Sequence, residues 1–351
     1  MAKNYLSIDF GAQNIKMAVG SLNNNSFLIQ KLDSINTPQD SYMDGKILDQ
    51  EKLTKALRNL IAKFTLKSRD AAITLNSSNI ITREIILPIT NNKEMDSMIL
   101  YEITQQLPIE MDQYVVEYRI VEEFMEENIK KNRVFVAAVP KIIVESFFSL
   151  TKSLNLNPVA MNIHTNALSR LITEKAIIND NPNIDNDSIA ILDFGYKSIN
   201  ISILSKGKLA FGRTINHGSK DLDVAIASDF KVNLEEAEKI KQRFNLMDAK
   251  DDSTGEYQAA SRVISKWIQD IQRVLQFYES RGNAKISRLY IYGGASGLKG
   301  LPQYIKASIN LPVELIKEIS SIKLQNTSEA AVIDIKNYLN AIGAIPKAGR
   351  R

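Results

Sequence analysis

Residues 6–20 read LSIDFGAQNIKMAVG, and residues 190–204 read AILDFGYKSINISIL. In both, an apolar run ends in Asp-Phe-Gly, short polar residues follow, and the chain leaves in alternation. The alternation predicts a strand on each side of a tight turn, the first placed around Gly11 to Asn14. The matching acids, Asp9 and Asp193, stand about half the chain apart. That period is too long for a solenoid. The repeat predicts two similar domains that face each other, each bringing an acid-tipped hairpin to a shared cleft.

Working outward, EKLTKALRNLIAKFT (51–65) sets Leu53, Leu57, Leu60, Ile61 and Phe64 at helical spacing, and AAITLN (71–76) reads as a buried strand. Hairpin, helix and strand in that order suit an α/β domain. From REIILP (83–88) the grammar changes. A helix over 92–107 carries Met95, Met98, Ile99, Ile103 and Leu107 on one face, and Pro108 stops it. Strands follow over 114–124 and 133–140, so residues 82–139 are expected to form an inserted α+β subdomain. Two helices around NPVAMNIH then occupy 141–177. The polar run NDNPNIDNDS (179–188) is the strongest linker signal. It divides a first domain (1–184) from a second (185–351). Within the second, a helical subdomain is expected over 215–288 and a closing helix near 329–343. Asn233 and Glu236 form a capping-box pattern at one helix start. A long apolar stripe through Trp267 marks another helix, which Gly282 is placed to end.

The 351 residues suffice for more than one core. Basic and acidic residues nearly balance, 44 against 40, so no nucleic-acid footprint is expected. With no cysteine, thiolate metal sites and cysteine nucleophiles are excluded. The two histidines, His164 and His217, read as packed or loop residues rather than catalysts. No signal core and no run of about 18 apolar residues is present. The expectation is a cytoplasmic protein whose membrane role comes through a partner.

Polyphosphate binding needs backbone amides, a cation and close approach by the chain. Gly11 permits the approach, Ala12, Gln13 and Asn14 are small or polar, and Lys16 is placed to neutralise phosphate charge. Asp9 is a candidate magnesium ligand, directly or through water. Asp193, Gly195, Tyr196, Lys197 and Ser198 repeat the set. A third element, LYIYGGASGLKGLPQYI (289–305), brings Gly293, Gly294, Ala295, Ser296 and Lys299 to a glycine loop suited to a flat ligand. In a fourth, INHGSKDLDVAI (215–226), Gly218 and Ser219 open a helix, whose N-terminus attracts phosphate. The protein-kinase set does not fit, because His-Arg-Asp and Val-Ala-Ile-Lys are absent.

In this order, DFGAQNIK (9–16), DFGYKSIN (193–200) and YGGASGLKG (292–300) resemble the phosphate 1, phosphate 2 and adenosine segments of the actin-like ATPase superfamily. EEAEKIK (235–241) resembles the segment that flanks ribose and adenine, which implies roles for Glu238 and Lys241. Within the superfamily, REIILP, residues 93–123, residues 136–171 and YLNAIGAIP (338–346) resemble the PilM family of type IV pilus assembly proteins, over nearly the whole length. The resemblance implies two duplicated actin-like domains around a nucleotide cleft, an insert in the FtsA-like position, ATP and Mg2+ as ligands, and a partner. That partner is the cytoplasmic N-terminal peptide of the membrane protein PilN, bound beside the insert. Asn162 stands where the family usually shows an acid, Tyr196 is bulky for its turn, and Ser198 replaces a frequent Thr. ATP is therefore expected mainly as a structural ligand, with slow or no hydrolysis. The alternatives are an FtsA-like filament former and a small-molecule kinase on the same fold, for which Asp221 or Asp223 would be the base.

Overall fold

A computed structural model describes residues 3–106, 110–173, 175–181, 188–243, 245–247, 258–281, 285–325 and 334–347. The chain opens with an antiparallel meander, β1 (Tyr5–Phe10), β2 (Asn14–Asn23) and β3 (Ser26–Asn36). A small hairpin, β4 (Tyr42–Met43) and β5 (Lys46–Ile47), leads to α1 (Gln50–Ile61). Asp49 caps α1 by accepting the Lys52 amide at 3.0 Å, and the helix buries Leu53, Leu57 and Leu60. β6 (Asp70–Leu75) then runs parallel to β1.

The insert comprises β7 (Ile81–Pro88), α2 (Asn92–Gln106), β8 (Tyr114–Glu126) and β9 (Ile129–Pro140). Its strands form an antiparallel sheet in the order β7-β9-β8. Met95, Ile99 and Ile103 on α2 pack onto Ile85, Leu87, Val134 and Val136, giving the insert a core of its own. Leu107 and Pro108, where the sequence stops this helix, lie outside the described residues. The chain returns through α3 (Lys141–Ser153), β10 (Asn157–Ile163) and α4 (His164–Leu171).

The second half repeats the plan. A meander of β11 (Ser188–Phe194), β12 (Ile199–Ser205) and β13 (Lys208–Ile215) is followed by α5 (Ser219–Phe230), α6 (Leu234–Arg243) and α7 (Gln258–Ser280). β14 (Ile286–Tyr292), α8 (Leu301–Ile309) and β15 (Val313–Leu315) complete its sheet. That sheet has the order β13-β12-β11-β14-β15. The first sheet contains the equivalent run, β3-β2-β1-β6-β10, with the same mixture of antiparallel meander and parallel strands. Shared strand order is the physical counterpart of the repeated phrase. Gly282, assigned as the stop of α7, lies outside the described residues.

Two features cross between the halves. β16 (Ile322–Leu324) comes from the second half, yet it pairs in parallel with β3 and forms the far edge of the first sheet. The last helix, α9 (Leu339–Gly343), packs on α4. Gly343 lies so close that an added Cβ would come within 2.1 Å of the Ala167 carbonyl oxygen. The front of the expected closing helix, from 329, falls outside the described residues. The polar run begins in ordered structure: Asn179 donates to the Leu315 carbonyl at 2.7 Å and accepts the Lys317 amide at 2.8 Å. Three main cores result, one per half and one between them that joins Tyr290 and Tyr292 to α4 and α9. No helix among the described residues is long and apolar enough to cross a membrane.

Candidate functional site

The two hairpin tips are near copies. The Gly11 amide donates to the Asn14 carbonyl at 3.2 Å, and the Gly195 amide to the Ser198 carbonyl at 3.0 Å. They face each other across a cavity of about 410 Å³. Asp9, Gly11, Ala12, Gln13, Asn14 and Lys16 line one wall, and Asp193, Gly195, Tyr196, Lys197 and Ser198 the other. Gly294 and Ala295 close one end. Strand register explains an asymmetry between the walls. Asp9 pairs with Lys16 across the first hairpin, whereas Asp193 pairs with Asn200 across the second. Only the first wall therefore sets a cation directly beside its acid. On the second wall, burial and the charge of Lys220 hold the Lys197 ammonium below the usual lysine range, against the pull of Asp44.

The remaining sequence-predicted residues lie around this cavity rather than in its wall. Glu238, on α6, accepts the Gln13 side-chain amide at 2.7 Å and so clasps the first hairpin from the second half. Lys241 is buried, and its ammonium pairs with Asp223 at 2.6 Å, locking α6 to α5. Gly218 and Ser219 hold the second hairpin. The Ser219 amide donates to the Gly195 carbonyl at 3.1 Å and the Lys220 amide to the Tyr196 carbonyl at 2.8 Å. A Cβ on Gly218 would come within 2.4 Å of that Tyr196 oxygen. Gly293 lies behind the cavity against Asp193, the Ser296 hydroxyl donates to the Gly293 carbonyl at 2.6 Å, and the side chain of Lys299 is exposed.

The group that sequence reading missed is His164, at the start of α4. Its Nε2–H donates to Asp9 Oδ1 at 2.8 Å, and Nδ1 lies 3.4 Å from Asp193 Oδ2. One imidazole thus bridges the two matching acids. Burial pushes its pKa down, but the charge of Asp9 and the contacts with Asp193 and Asp9 outweigh it and raise it to about 9. Burial likewise pushes the Asp193 carboxyl up. His164, Lys16 and Asn340 overcome that and hold it below the usual carboxylate range. Asn340 on α9 donates to Asp193 at 2.8 Å and accepts the Tyr292 hydroxyl at 2.9 Å. Hydrogen bonds thus join β14 to Asp193 through Asn340, and His164 to Asp9, with the 3.4 Å contact between His164 Nδ1 and Asp193 linking the two sets. No spacing rule ties residue 164 to residues 9 and 193. Only the parallel pairing of β10 with β6, and of β6 with β1, carries α4 to the hairpin. Asn76 was also missed. From the end of β6 it donates across the cleft to Asn200 at 2.7 Å.

This arrangement bears on magnesium. Both acids present hard oxygens, the donor type that suits the ion. Among the described residues, however, no cluster of three or more acidic, His or Cys side chains is arranged to hold a metal. His164 and Asn340 already occupy oxygens of Asp9 and Asp193. The residues fit an ion carried mainly by phosphates and water, with Asp9 and Asp193 reaching it through water, rather than one clasped by both carboxylates.

Two sheets of equivalent strand order, closed on a cleft with an acid-tipped hairpin from each, define the actin-like ATPase fold. Solved structures agree. The chain matches ethanolamine utilization protein EutJ from Carboxydothermus hydrogenoformans at TM-score 0.56 and 14% identity, over 98% of this chain and 90% of that one. It matches MreB5 of Spiroplasma citri bound to AMPPNP at TM-score 0.52 and 11% identity, over 90% and 92%. The PilM-PilN type IV pilus biogenesis complex aligns at TM-score 0.79 and 21% identity, over 97% of this chain and 99% of that one. The family model described as type IV pilus assembly protein PilM matches residues 7–345, and the chain belongs to that family.

Proposed function

We propose that this protein holds ATP with magnesium between its two hairpins and acts as a cytoplasmic platform of type IV pilus assembly. It docks the N-terminal peptide of a PilN-like membrane protein and through it sits at the inner face of the cell membrane. The observation that carries the nucleotide reading is the pair of matched turns facing one cavity. Backbone groups of Gly11 to Asn14 and of Gly195 to Ser198 would approach phosphate oxygens, with Lys16 supplying positive charge. Magnesium would supply charge neutralisation. ATP held by both walls stabilises the closed cleft by its differential affinity for that state. Both hairpin acids, Asp9 and Asp193, are engaged by His164 and Asn340, which supports ATP as a structural ligand turned over slowly or not at all. The kinase alternative loses its candidate bases, because Asp223 is paired with Lys241 and Asp221 with His217.

Calorimetry tests the cleft. Saturable binding of ATP with magnesium is expected for the wild type, weakened at least tenfold in Asp9→Ala/Lys16→Ala. No saturable binding, or full affinity in the double variant, rejects the reading.

The partner reading rests on family membership and on the insert. While α2 buries Met95, Ile99 and Ile103, it leaves Leu100 45% and Tyr101 62% exposed, an apolar edge available to a peptide. Leu100→Glu/Tyr101→Glu is expected to weaken binding of the PilN-type peptide at least tenfold by fluorescence anisotropy, with the melting temperature little changed. Undiminished affinity would remove α2 from the docking surface.

A further inference from the structure

A second cavity, of about 530 Å³, lies between the insert and the second half and shares no lining residue with the cleft. Four arginines converge on it: Arg83 of β7, Arg213 of β13, Arg273 of α7 and Arg281 just past the end of α7. Such a concentration of one sign is unexpected in a chain whose charges nearly balance. Arg273 has a carboxylate partner, Asp270, at 2.7 Å. Among the described residues, Arg83, Arg213 and Arg281 pair with none. The acid in the wall, Glu84, is already bound to Arg133 at 2.7 Å. Arg83 gives one bond to the Thr82 carbonyl, and its guanidinium is held below its usual range first by burial and then by the charge of Arg213.

Arg213, Arg273 and Arg281 are exposed and Arg83 is half-buried, so water screens their mutual repulsion and leaves their donors open to an incoming anion. Guanidinium forks match phosphate oxygens two at a time. The remaining wall is aromatic. Phe211 and Phe277 have ring centroids 5.9 Å apart, and Arg281 lies over the Phe277 ring at 5.5 Å. Phe277 is half exposed and so presents a free face. The volume is in the range of small-ligand sites.

We propose that this cavity is a second ligand site, distinct from the cleft, for a nucleotide whose phosphate sits among Arg83, Arg213 and Arg281 and whose base stacks on Phe277 and Phe211. Occupation would tie the insert to β13, joining strands now linked at this point by the Thr82 hydroxyl and the Gly212 carbonyl at 3.4 Å.

The test is titration of AMP and GMP, with inorganic phosphate in parallel, into the full chain by calorimetry. A nucleotide is expected to bind at least tenfold more tightly than phosphate. Its affinity should fall at least tenfold in Arg83→Ala/Arg213→Ala and at least threefold in Phe277→Leu, and stay unchanged in Lys16→Ala, which disturbs only the cleft. If the alanine pair fails to fold, as judged by circular dichroism, Arg83→Lys/Arg213→Lys replaces it. That pair keeps the charge, removes the forks and should lose affinity as well. The proposal is overturned if neither nucleotide saturates the wild type, if phosphate binds equally well, if the arginine variants keep full affinity, or if binding vanishes in Lys16→Ala.

Discussion

His164→Gln is expected to destabilise the protein by roughly 3–5 kcal/mol at neutral pH, as breaking a buried ion pair by removing one partner does. Asp9 and Asp193 are only 2% and 6% exposed, so without the imidazolium their charges face each other in the interior. The pH dependence separates this electrostatic role from simple packing. The imidazole holds its proton to about pH 9 in the folded chain, against about 6.5 when unfolded. The proton is thus bound more tightly in the folded state. Its contribution is complete below pH 6.5 and is lost as the pH rises through 9, a change on the order of 3 kcal/mol. Tyr42 and Tyr292 face the same cluster, but burial drives both above the usual tyrosine range, so they stay protonated across this window. The shift of Asp193 has the opposite sign, and its contribution is lost only as the pH falls below the ordinary carboxylate range. Chemical denaturation without nucleotide, at pH 6, 7.5 and 9.5, should show the wild type converging on the variant at the alkaline end. A gap that stays constant with pH would mean that His164 acts by shape alone.

Gly293→Ala is the second change expected to have a large effect. Gly293 has φ +93°, a backbone region that residues with a Cβ rarely adopt. Its Cβ would also meet Asp193 Oδ1 at 2.2 Å and the Phe194 carbonyl at 2.8 Å. Neither neighbour can retreat easily, since one is bonded to Asn340 and the other belongs to β11. Strain and displacement together should cost on the order of 3 kcal/mol. They should also weaken ATP at least tenfold by pushing Asp193 toward the cavity. Gly294→Ala is the control, because nothing lies within 4 Å of its added Cβ. Equal losses in the two variants would contradict the argument.

Much of this site was legible because it is local. The hairpins announce themselves through period-two alternation and a glycine turn, and the observed registers place Asp9 and Asp193 at equivalent rungs. α1 and α7 were legible from their apolar stripes, and the insert from its change of grammar. What could not be read depends on contacts distant in sequence. His164 looked like an ordinary buried histidine because its partners are brought to it by parallel strand pairing. Lys241 carried a motif role, yet its nearest carboxylate, on the preceding helix, holds it inside the α5–α6 pair. β16, only three residues long, has no periodicity to detect. Its pairing is set by the edge of β3 rather than by its own composition.

The return of β16 to the first sheet has a consequence for biosynthesis. β3 keeps an unpaired edge until residues 322–324 have emerged from the ribosome, long after the other strands of its sheet have been made. Open edges of this kind recruit foreign strands, and pairings so distant in sequence form late. The first domain, produced by itself, is therefore expected to be prone to aggregation and to need a chaperone or the second half supplied in trans. Completion of that edge would require translation to have passed residue 324.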